Sequence, residues 1–517
     1  MPSSVTDVPA QFNAARFFVD RHVEEGRGSK LAFHYEDTRL TYAELQELVN
    51  RTGNALLDLG VQREQRVLCL LLDSPEFLAA FWGAIKIGAI PIPVNTMMRS
   101  QDYLYFLDDS RAPVAVISEP LLAEAGPALS QARYLKHVVV AGKPSAGQLG
   151  FDHWVGKASA KLEAVETSKD DGAFWLYSSG STGRPKGAVH LQHDMVYCAD
   201  TYARQVLGMT ELDKTVSAAK LFFAYGLGNN MYFPMHVGGQ GVLYPHRPLP
   251  ETMFELIHRH RPTLFFGVPT LYAAMLQVKE AEKRYDLSSL RQCISAGEAL
   301  PEELYRRWRD RFGVDILDGI GTTEILHIFL SNRPGHIRPG STGLPVPGYE
   351  AILVDDAGQP VAQGDVGNLR VKGDSIMAYY WNQHEKTKDT LFGHYIQTGD
   401  KYYQDADGYF WYCGRADDML KVGGIWVSPV EVENTLIAHA AVLEVAVVGH
   451  EDTDKLVKPK AFVVLKEGYA GSPQLDAELK GFVKDKIAPY KYPRWIEFVS
   501  DLPKTATGKI QRFKLRT

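Results

Sequence analysis

The chain has 517 residues, 45% of them hydrophobic and 23% charged, with 56 Lys and Arg against 62 Asp and Glu for a formal net charge of −6. That length exceeds one ordinary hydrophobic core, so two or more domains are expected, and the balance is that of a globular enzyme, not of a disordered or fibrous chain. A mildly acidic chain has no bulk attraction for nucleic acid or an anionic membrane surface, so neither is expected as a partner.

The N-terminal residues Met1-Pro2-Ser3-Ser4-Val5-Thr6-Asp7 carry no basic segment followed by an apolar run, so no signal peptide is expected. Thr41 and Glu44 form a capping-box pattern that opens a helix running to Leu59, with Leu45, Leu48, Val49 and Leu56 on one face. A strand follows at 66–72. The most apolar stretch, 77–94, is interrupted by Lys86, Gly88, Pro91 and Pro93, and reads as a core helix entering a buried strand at 89–94, not as a membrane span. Residues 114–118 and 138–141 are further short strands with helical segments between. Strands are also expected at 173–177, 188–190, 264–267, 292–295 and 315–319, so the large N-terminal part is α/β with layered, mostly parallel sheets. Beyond Gly348 short strands and turns (351–354, 368–372, 408–412) indicate a small β-barrel-like part. The last hundred or so residues read as a small α+β module: a helix from Val427, strands at 442–448 and 460–465, and a helix at 475–487. The expected division is 1–414 and 415–517. Cys69, Cys198, Cys293 and Cys413 are too widely spaced for a zinc site or disulfide framework. Each is expected to be a buried small apolar residue in a reducing, cytoplasmic compartment.

Six segments carry chemistry. The first is Tyr177-Ser178-Ser179-Gly180-Ser181-Thr182-Gly183-Arg184-Pro185-Lys186-Gly187. It breaks a strand with three glycines, hydroxyls and two cations, a composition suited to holding phosphate. It matches neither G-x-x-x-x-G-K-[ST] nor G-x-G-x-x-G, which sets aside the common NTPase and dinucleotide readings. The second, Gly321-Thr322-Thr323-Glu324, sets a carboxylate beside hydroxyls on a tight turn, as a hard cation such as Mg²⁺ prefers; by itself it equally fits an N-cap Thr with a first-turn Glu. The third, Ser295-Ala296-Gly297-Glu298-Ala299, leaves room at Gly297 for a flat base, though it also reads as an ordinary turn. The fourth, Thr398-Gly399-Asp400, offers a carboxylate to ribose hydroxyls. The fifth is Gly414-Arg415-Ala416-Asp417-Asp418-Met419-Leu420-Lys421-Val422-Gly423-Gly424. The sixth is Leu502-Pro503-Lys504-Thr505-Ala506-Thr507-Gly508-Lys509-Ile510-Gln511-Arg512.

In this order and spacing the six segments resemble the adenylate-forming superfamily of acyl- and aryl-CoA ligases, luciferases and peptide-synthetase adenylation domains. The resemblance implies ATP and CoA as co-substrates and Mg²⁺ as cofactor. It gives Ser181, Thr182, Gly183 and Lys186 the β- and γ-phosphates, Thr323 the α-phosphate and Glu324 the metal. Gly297, Glu298, Asp318, Gly319 and Ile320 wall the adenine. Asp400 takes the ribose and Arg415 the ribose or a phosphate, Asp417 is the hinge, and Gly423 and Gly424 face the CoA thiol tunnel. Lys509 is the adenylation catalyst.

Residues Lys220 to Gly228 contain no acid to pair with a substrate ammonium, so an α-amino acid is disfavoured. Phe223, Ala224, Tyr225, Gly297, Ile320, His327 and Ile328 instead suit a flat ring. The runs 220–230 and 318–332 resemble benzoate-CoA ligases, with Thr322 where that branch is expected to have Ser. The implied activity is an acid-thiol ligase making benzoyl-CoA, the first step of aromatic acid degradation. The alternatives are a 4-hydroxybenzoate- or 2-aminobenzoate-CoA ligase, or an aryl-acid adenylating enzyme that loads a carrier protein. The partner expectations are a homodimer and a lysine acetyltransferase acting on Lys509.

Overall fold

Thr41 caps the helix Tyr42–Asp58 through a complete capping box, its hydroxyl accepting from the Glu44 amide while the Glu44 carboxylate accepts from the Thr41 amide. The computed structural model describes residues 7–178, 184–416, 418–422, 425–453, 456–504 and 510–516. The capped helix lies against the helix Pro75–Lys86, whose apolar surface is buried nearly all round. Lys86, at that helix's end, is itself buried. Its ammonium pairs with Asp20 at 2.6 Å and with the Asn50 side-chain oxygen at 2.5 Å, which is how a cation is tolerated inside an apolar run. The helix leads to the buried strand Ile90–Pro93, as the sequence indicated. No helix among the described residues is long and apolar enough to cross a membrane.

Two sheets dominate the large domain. One is a five-stranded parallel sheet that includes Arg66–Leu70, Val114–Ser118 and His137–Ala141. The other has nine strands. Its centre is parallel and runs through Leu31–Tyr35, Gln240–Leu243, Lys214–Ser217, Leu264–Gly267, Gln292–Ser295 and Ile316–Gly321. Antiparallel strands finish both edges. A third, three-stranded sheet is built from Gly172–Ser178, Lys186–Leu191 and Tyr379–Tyr380. Trp82, Trp175 and Trp308 are fully buried, each in a different hydrophobic cluster packed on these sheets.

The short strands after Gly348 form a five-stranded antiparallel sheet: Glu350–Val354, Gly367–Lys372, Leu391–Phe392, Tyr395–Gln404 and Phe410–Arg415. The small C-terminal α+β domain follows. Its sheet of Val442–Glu451, Val457–Leu465 and Trp495–Phe498 packs on the helices Pro429–Ile437 and Pro473–Lys486 around a core of its own, including Val432, Leu436, Val447, Val463, Leu479 and Val483. The four cysteines are buried and free, and burial raises each thiol to about 12, so they stay protonated packing groups.

Candidate active site

Parallel strands bind ligands beyond their carboxyl ends, and the Ser295–Gly297 and Asp318–Glu324 candidates lie there. Gly267, Ser295 and Gly321 end three neighbouring strands, and the register sets Ser295 beside Asp318. The Asp318 carboxyl is buried, and desolvation raises its pKa well above the ordinary carboxylate range; amides of Leu300 and Gly319 and the Ser295 hydroxyl oppose that rise. Its Oδ1 has no partner among the described residues. A buried, unsatisfied oxygen at the mouth of a sheet is a ready acceptor for a base amine.

Ser178 and Lys186 face each other across the antiparallel pair that flanks the phosphate loop. Ser181, Thr182 and Gly183 lie outside the described residues. The base of the loop is held from behind: the Tyr105 hydroxyl donates to the Pro185 carbonyl at 2.8 Å, and the Arg184 guanidinium lies 5.3 Å from the Tyr105 ring centre. Lys186 Nζ sits 4.6 Å from the Tyr380 ring centre. Burial lowers its pKa while the Glu324 charge acts the other way, so the cation is poorly solvated and close to the Glu324 carboxylate.

The turn Thr323–Ile325 follows the strand Ile316–Gly321. Its cap is Thr322, whose hydroxyl accepts from the Ile325 amide at 3.2 Å, so the helix-start role falls to Thr322 and Thr323 is not needed for it. The Glu324 Oε1 accepts from Ser178 Oγ at 2.8 Å and from the Tyr380 hydroxyl at 2.7 Å. All three carbonyls of the turn are held as well. Thr323 O faces His190 Nε2 at 2.8 Å, Glu324 O accepts from the Met377 amide at 2.7 Å, and Ile325 O accepts from Ser375 Oγ at 2.8 Å.

Asp400 and Arg415 are directly paired in their strands. Arg415 Nη1 donates to Asp400 Oδ1 at 3.1 Å and to the Thr398 carbonyl at 3.0 Å, and the Asp400 charge raises the guanidinium pKa. Gly399, with φ of 79°, permits this approach; a Cβ there would stand 2.9 Å from Arg415 Nη2. Asp417, Gly423 and Gly424 lie outside the described residues.

Two of the pocket candidates, Tyr225 and His327, meet directly. The Tyr225 and His327 rings are 5.7 Å apart, and Ile320 and Ile328 lie on the paired strands that lead to and from the Thr323–Ile325 turn. Phe223 and Ala224 are half-buried beside Tyr225, and Gly297 is exposed with φ of 93°. The Tyr225 hydroxyl is anchored on the Gly267 and Ile294 carbonyls at 3.2 and 3.3 Å. His327 Nε2 faces two acceptors, the Tyr225 carbonyl at 3.3 Å and Asn229 Oδ1 at 3.1 Å, which places the proton on Nε2. Burial holds its pKa down to about 3, so the ring is neutral at working pH. A Cβ at residue 228 would lie 2.4 Å from His327 Cδ2, so only glycine lets the ring sit there.

From the small domain, Lys504 and Ile510 pair across an antiparallel bridge, and the Ile510 amide donates to Glu298 Oε1 at 3.2 Å. Lys509, the residue before Ile510, lies outside the described residues. Lys504 is taken up by Glu444 at 2.7 Å and Asp501 at 3.1 Å. The site therefore joins Lys186, Thr323, Glu324, Asp400 and Arg415 around one region, with Glu298 in contact with the C-terminal segment. Sequence reasoning did not single out Ser178, Tyr380, His190 or Asn229. Ser178 lies inside the first motif and Asn229 inside the 220–230 run, but Tyr380 and His190 carry no local signal, because their contacts with Glu324 and Thr323 join segments distant in the chain.

The AMP-binding enzyme model matches residues 19–381, and the AMP-binding enzyme C-terminal domain model matches residues 431–509. A benzoate-CoA ligase from Thauera aromatica is 53% identical over 99% of this chain and 97% of its own length. Among solved structures, the anthranilate CoA ligase AuaEII in complex with anthranoyl-AMP superposes with a TM-score of 0.96 at 45% identity, covering 99% of this chain and 98% of that one. A benzoate CoA ligase from Burkholderia xenovorans LB400 superposes with a TM-score of 0.91 at 46% identity, covering 98% and 100%. With both domain models matched and full-length relatives at these identities, the chain belongs to the AMP-binding, adenylate-forming enzyme superfamily.

Proposed function

We propose that this chain is an ATP-dependent benzoate-CoA ligase: benzoate, ATP and CoA give benzoyl-CoA, AMP and diphosphate through a benzoyl-adenylate. What supports the reading is the cluster of Tyr225, neutral His327 and Ile328 beside the Thr323–Glu324 turn, together with the 53% identity to a benzoate-CoA ligase. Side chains of this uncharged, partly aromatic kind suit a benzene ring and offer no counter-ion to an ammonium group.

In the first step a benzoate oxygen attacks the α-phosphorus of ATP and diphosphate leaves. Two anions must meet, so positive and hydrogen-bond-donating groups at the phosphates set the rate. Lys186 and the loop residues Ser181, Thr182 and Gly183 hold the leaving phosphates, and Thr323 donates to the α-phosphate. Asp318 accepts from the adenine amine, with Gly297, Glu298 and Gly319 beside the base. Asp400 accepts from the ribose hydroxyls while Arg415 steadies that carboxylate. Lys509 bridges the attacking carboxylate and the α-phosphate. Glu324 and the Ser178 hydroxyl it touches form an all-oxygen set that fits a hard divalent cation. Mg²⁺ bound there supplies neutralisation of phosphate charge.

In the second step the CoA thiolate attacks the acyl carbon and AMP leaves. The small domain, from about residue 415 and hinged at Asp417, turns to remove Lys509 and to place Gly423 and Gly424 along the thiol's path. The proposal includes self-association as a homodimer and acetylation of Lys509 by a lysine acetyltransferase, which would switch off the first step alone. Diphosphate release measured over a panel of benzoates, amino acids and short fatty acids tests the reading: benzoate should give the highest kcat/KM. A second reading, 2-aminobenzoate as substrate, is favoured by the superposition on the anthranoyl-AMP complex and is ranked by the same panel. Release driven best by an aliphatic or amino acid would overturn both.

A further inference from the structure

We infer that His190 is a positioning residue for adenylation: its ring, clamped by Asp194, holds the Thr323 carbonyl and thereby fixes the Thr323–Glu324 turn to the strands that flank the phosphate loop. The inference rests on the roles proposed above for Thr323 and Glu324.

His190 lies on Lys186–Leu191, the strand that leaves the phosphate loop. Its side chain is fully buried and stacks on Phe174 of the opposing strand, with ring centres 5.3 Å apart and planes at 21°. Nδ1 is 2.8 Å from Asp194 Oδ2, and Nε2 is 2.8 Å from the Thr323 carbonyl. Asp194 is buried too, and the same Oδ2 accepts the Leu191 amide at 3.0 Å, so its carboxylate is fixed to the strand end. The chain of contacts runs from the phosphate-loop strand, through one rigid ring, to the backbone of the residue assigned to the α-phosphate. Ser178 makes a second link from the partner strand to the Glu324 side chain. The two strands flanking the loop therefore each hold one part of the same turn. A turn held this way keeps a fixed place relative to those strands, and a fraction of an ångström matters where charge develops.

The two nitrogens can be separated by substitution. In H190Q the side-chain amide reaches about as far as Nε2 and can still donate to Thr323 O. In H190N it reaches only as far as Nδ1 and can still meet Asp194. Both variants lose the stacked ring, so a purely structural role predicts similar damage or favours Asn. Positioning predicts the reverse order: adenylation kcat, read by benzoate-dependent ATP–diphosphate exchange, should stay within about three-fold of wild type in H190Q and fall roughly thirty-fold in H190N. KM for benzoate should be unchanged in both. Equal exchange rates in the two variants, or a lower rate in H190Q, would overturn the inference. If neither variant folds, D194N decides the matter, since it keeps an oxygen beside Nδ1 and weakens only the clamp. A drop in exchange of three-fold or more with unchanged KM for benzoate supports positioning, and wild-type exchange overturns it. E324Q is run alongside: full exchange in E324Q would sink the site assignment itself, whereas lost exchange there with equal H190Q and H190N sinks only the role of His190.

Discussion

The Tyr380 hydroxyl donates to Glu324 Oε1 at 2.7 Å while the ammonium of Lys186 lies 4.6 Å from the same tyrosine's ring centre. Tyr380 thus stands between the cation assigned to the leaving phosphates and the carboxylate assigned to Mg²⁺. It reaches this place because Tyr379–Tyr380 pairs with Ala188 and Val189 on the strand that leaves the phosphate loop. Burial and the Glu324 charge both raise the Tyr380 pKa, so the phenol remains a donor throughout the working pH range.

Tyr380→Phe should therefore loosen Glu324 without emptying the site. Ser178 still holds the same oxygen, so the expected loss in adenylation kcat is about ten-fold, the scale of one hydrogen bond to a charged group. The Mg²⁺ concentration giving half-maximal diphosphate release should rise, and KM for benzoate should not. Titrating Mg²⁺ against release rate checks this; an unchanged Mg²⁺ dependence would remove Tyr380 from the arrangement.

Asp400→Asn should act on nucleotide affinity. The Asn side chain keeps the shape but accepts more weakly, and Arg415 retains the Thr398 carbonyl, so the fold should hold. A rise of roughly ten-fold in the dissociation constant of AMP, by calorimetry, is expected from weakening one charged hydrogen bond. Wild-type affinity for AMP would show that the ribose is held elsewhere.

Much of this was legible in the sequence, and the reason is local. Thr41 and Glu44 announce a helix start because capping acts within one turn, and the observed cap is the expected one. The run from Phe77 to Val94 alternates little and is broken by Lys86, so it reads correctly as helix then buried strand. What was not legible is non-local. Nothing near Lys86 indicates Asp20 and Asn50 as its partners, and nothing near Tyr380 indicates Glu324. His190 sits in an apolar strand where a histidine is most simply a packed core residue, and its link to Thr323 appears only when that strand meets a turn more than a hundred residues away.

The pH behaviour of His327 follows from its burial. The folded ring has a pKa of about 3 against 6.5 for an unperturbed histidine, so between those values the unfolded chain binds the proton and the folded one does not. Stability from this group is complete above 6.5 and is lost as pH falls toward 3, at about 1.4 kcal/mol per pH unit. A neutral ring also means that KM for benzoate should show no titration step near 6.5. His327→Phe should flatten the acid limb of stability measured by denaturant unfolding. A clear step in KM for benzoate near 6.5, abolished by that variant, would mean that the ring is charged in the working enzyme.

Lys509→Ala should separate the two half-reactions. The role proposed for it is confined to bringing carboxylate and α-phosphate together, so benzoyl-AMP formation should fall at least a hundred-fold, the usual scale for removing one charge-stabilising group. Thioester formation from supplied benzoyl-AMP and CoA should change little. Equal loss of both half-reactions in the folded variant would show that Lys509 does not act in one step only.

The contact between the Ile510 amide and Glu298 offers a way to bias the domain arrangement without touching Lys509. One neighbour along the chain is the lysine proposed for adenylation, and one partner across the interface belongs to the segment assigned to adenine. The bond is made in the arrangement described here and must break if the small domain turns for the second step. Glu298→Gln keeps an acceptor but removes the charge that strengthens it. The arrangement that presents residue 510 to the adenine wall should become less populated, so adenylation should slow by a few-fold. Thioester formation from supplied benzoyl-AMP should be unchanged or faster, because its competing state has been weakened. Stopped-flow measurement of both half-reactions gives the two rates separately. If adenylation and thioester formation slow together, Glu298 serves the nucleotide in both steps and the contact with Ile510 does not govern the switch between them.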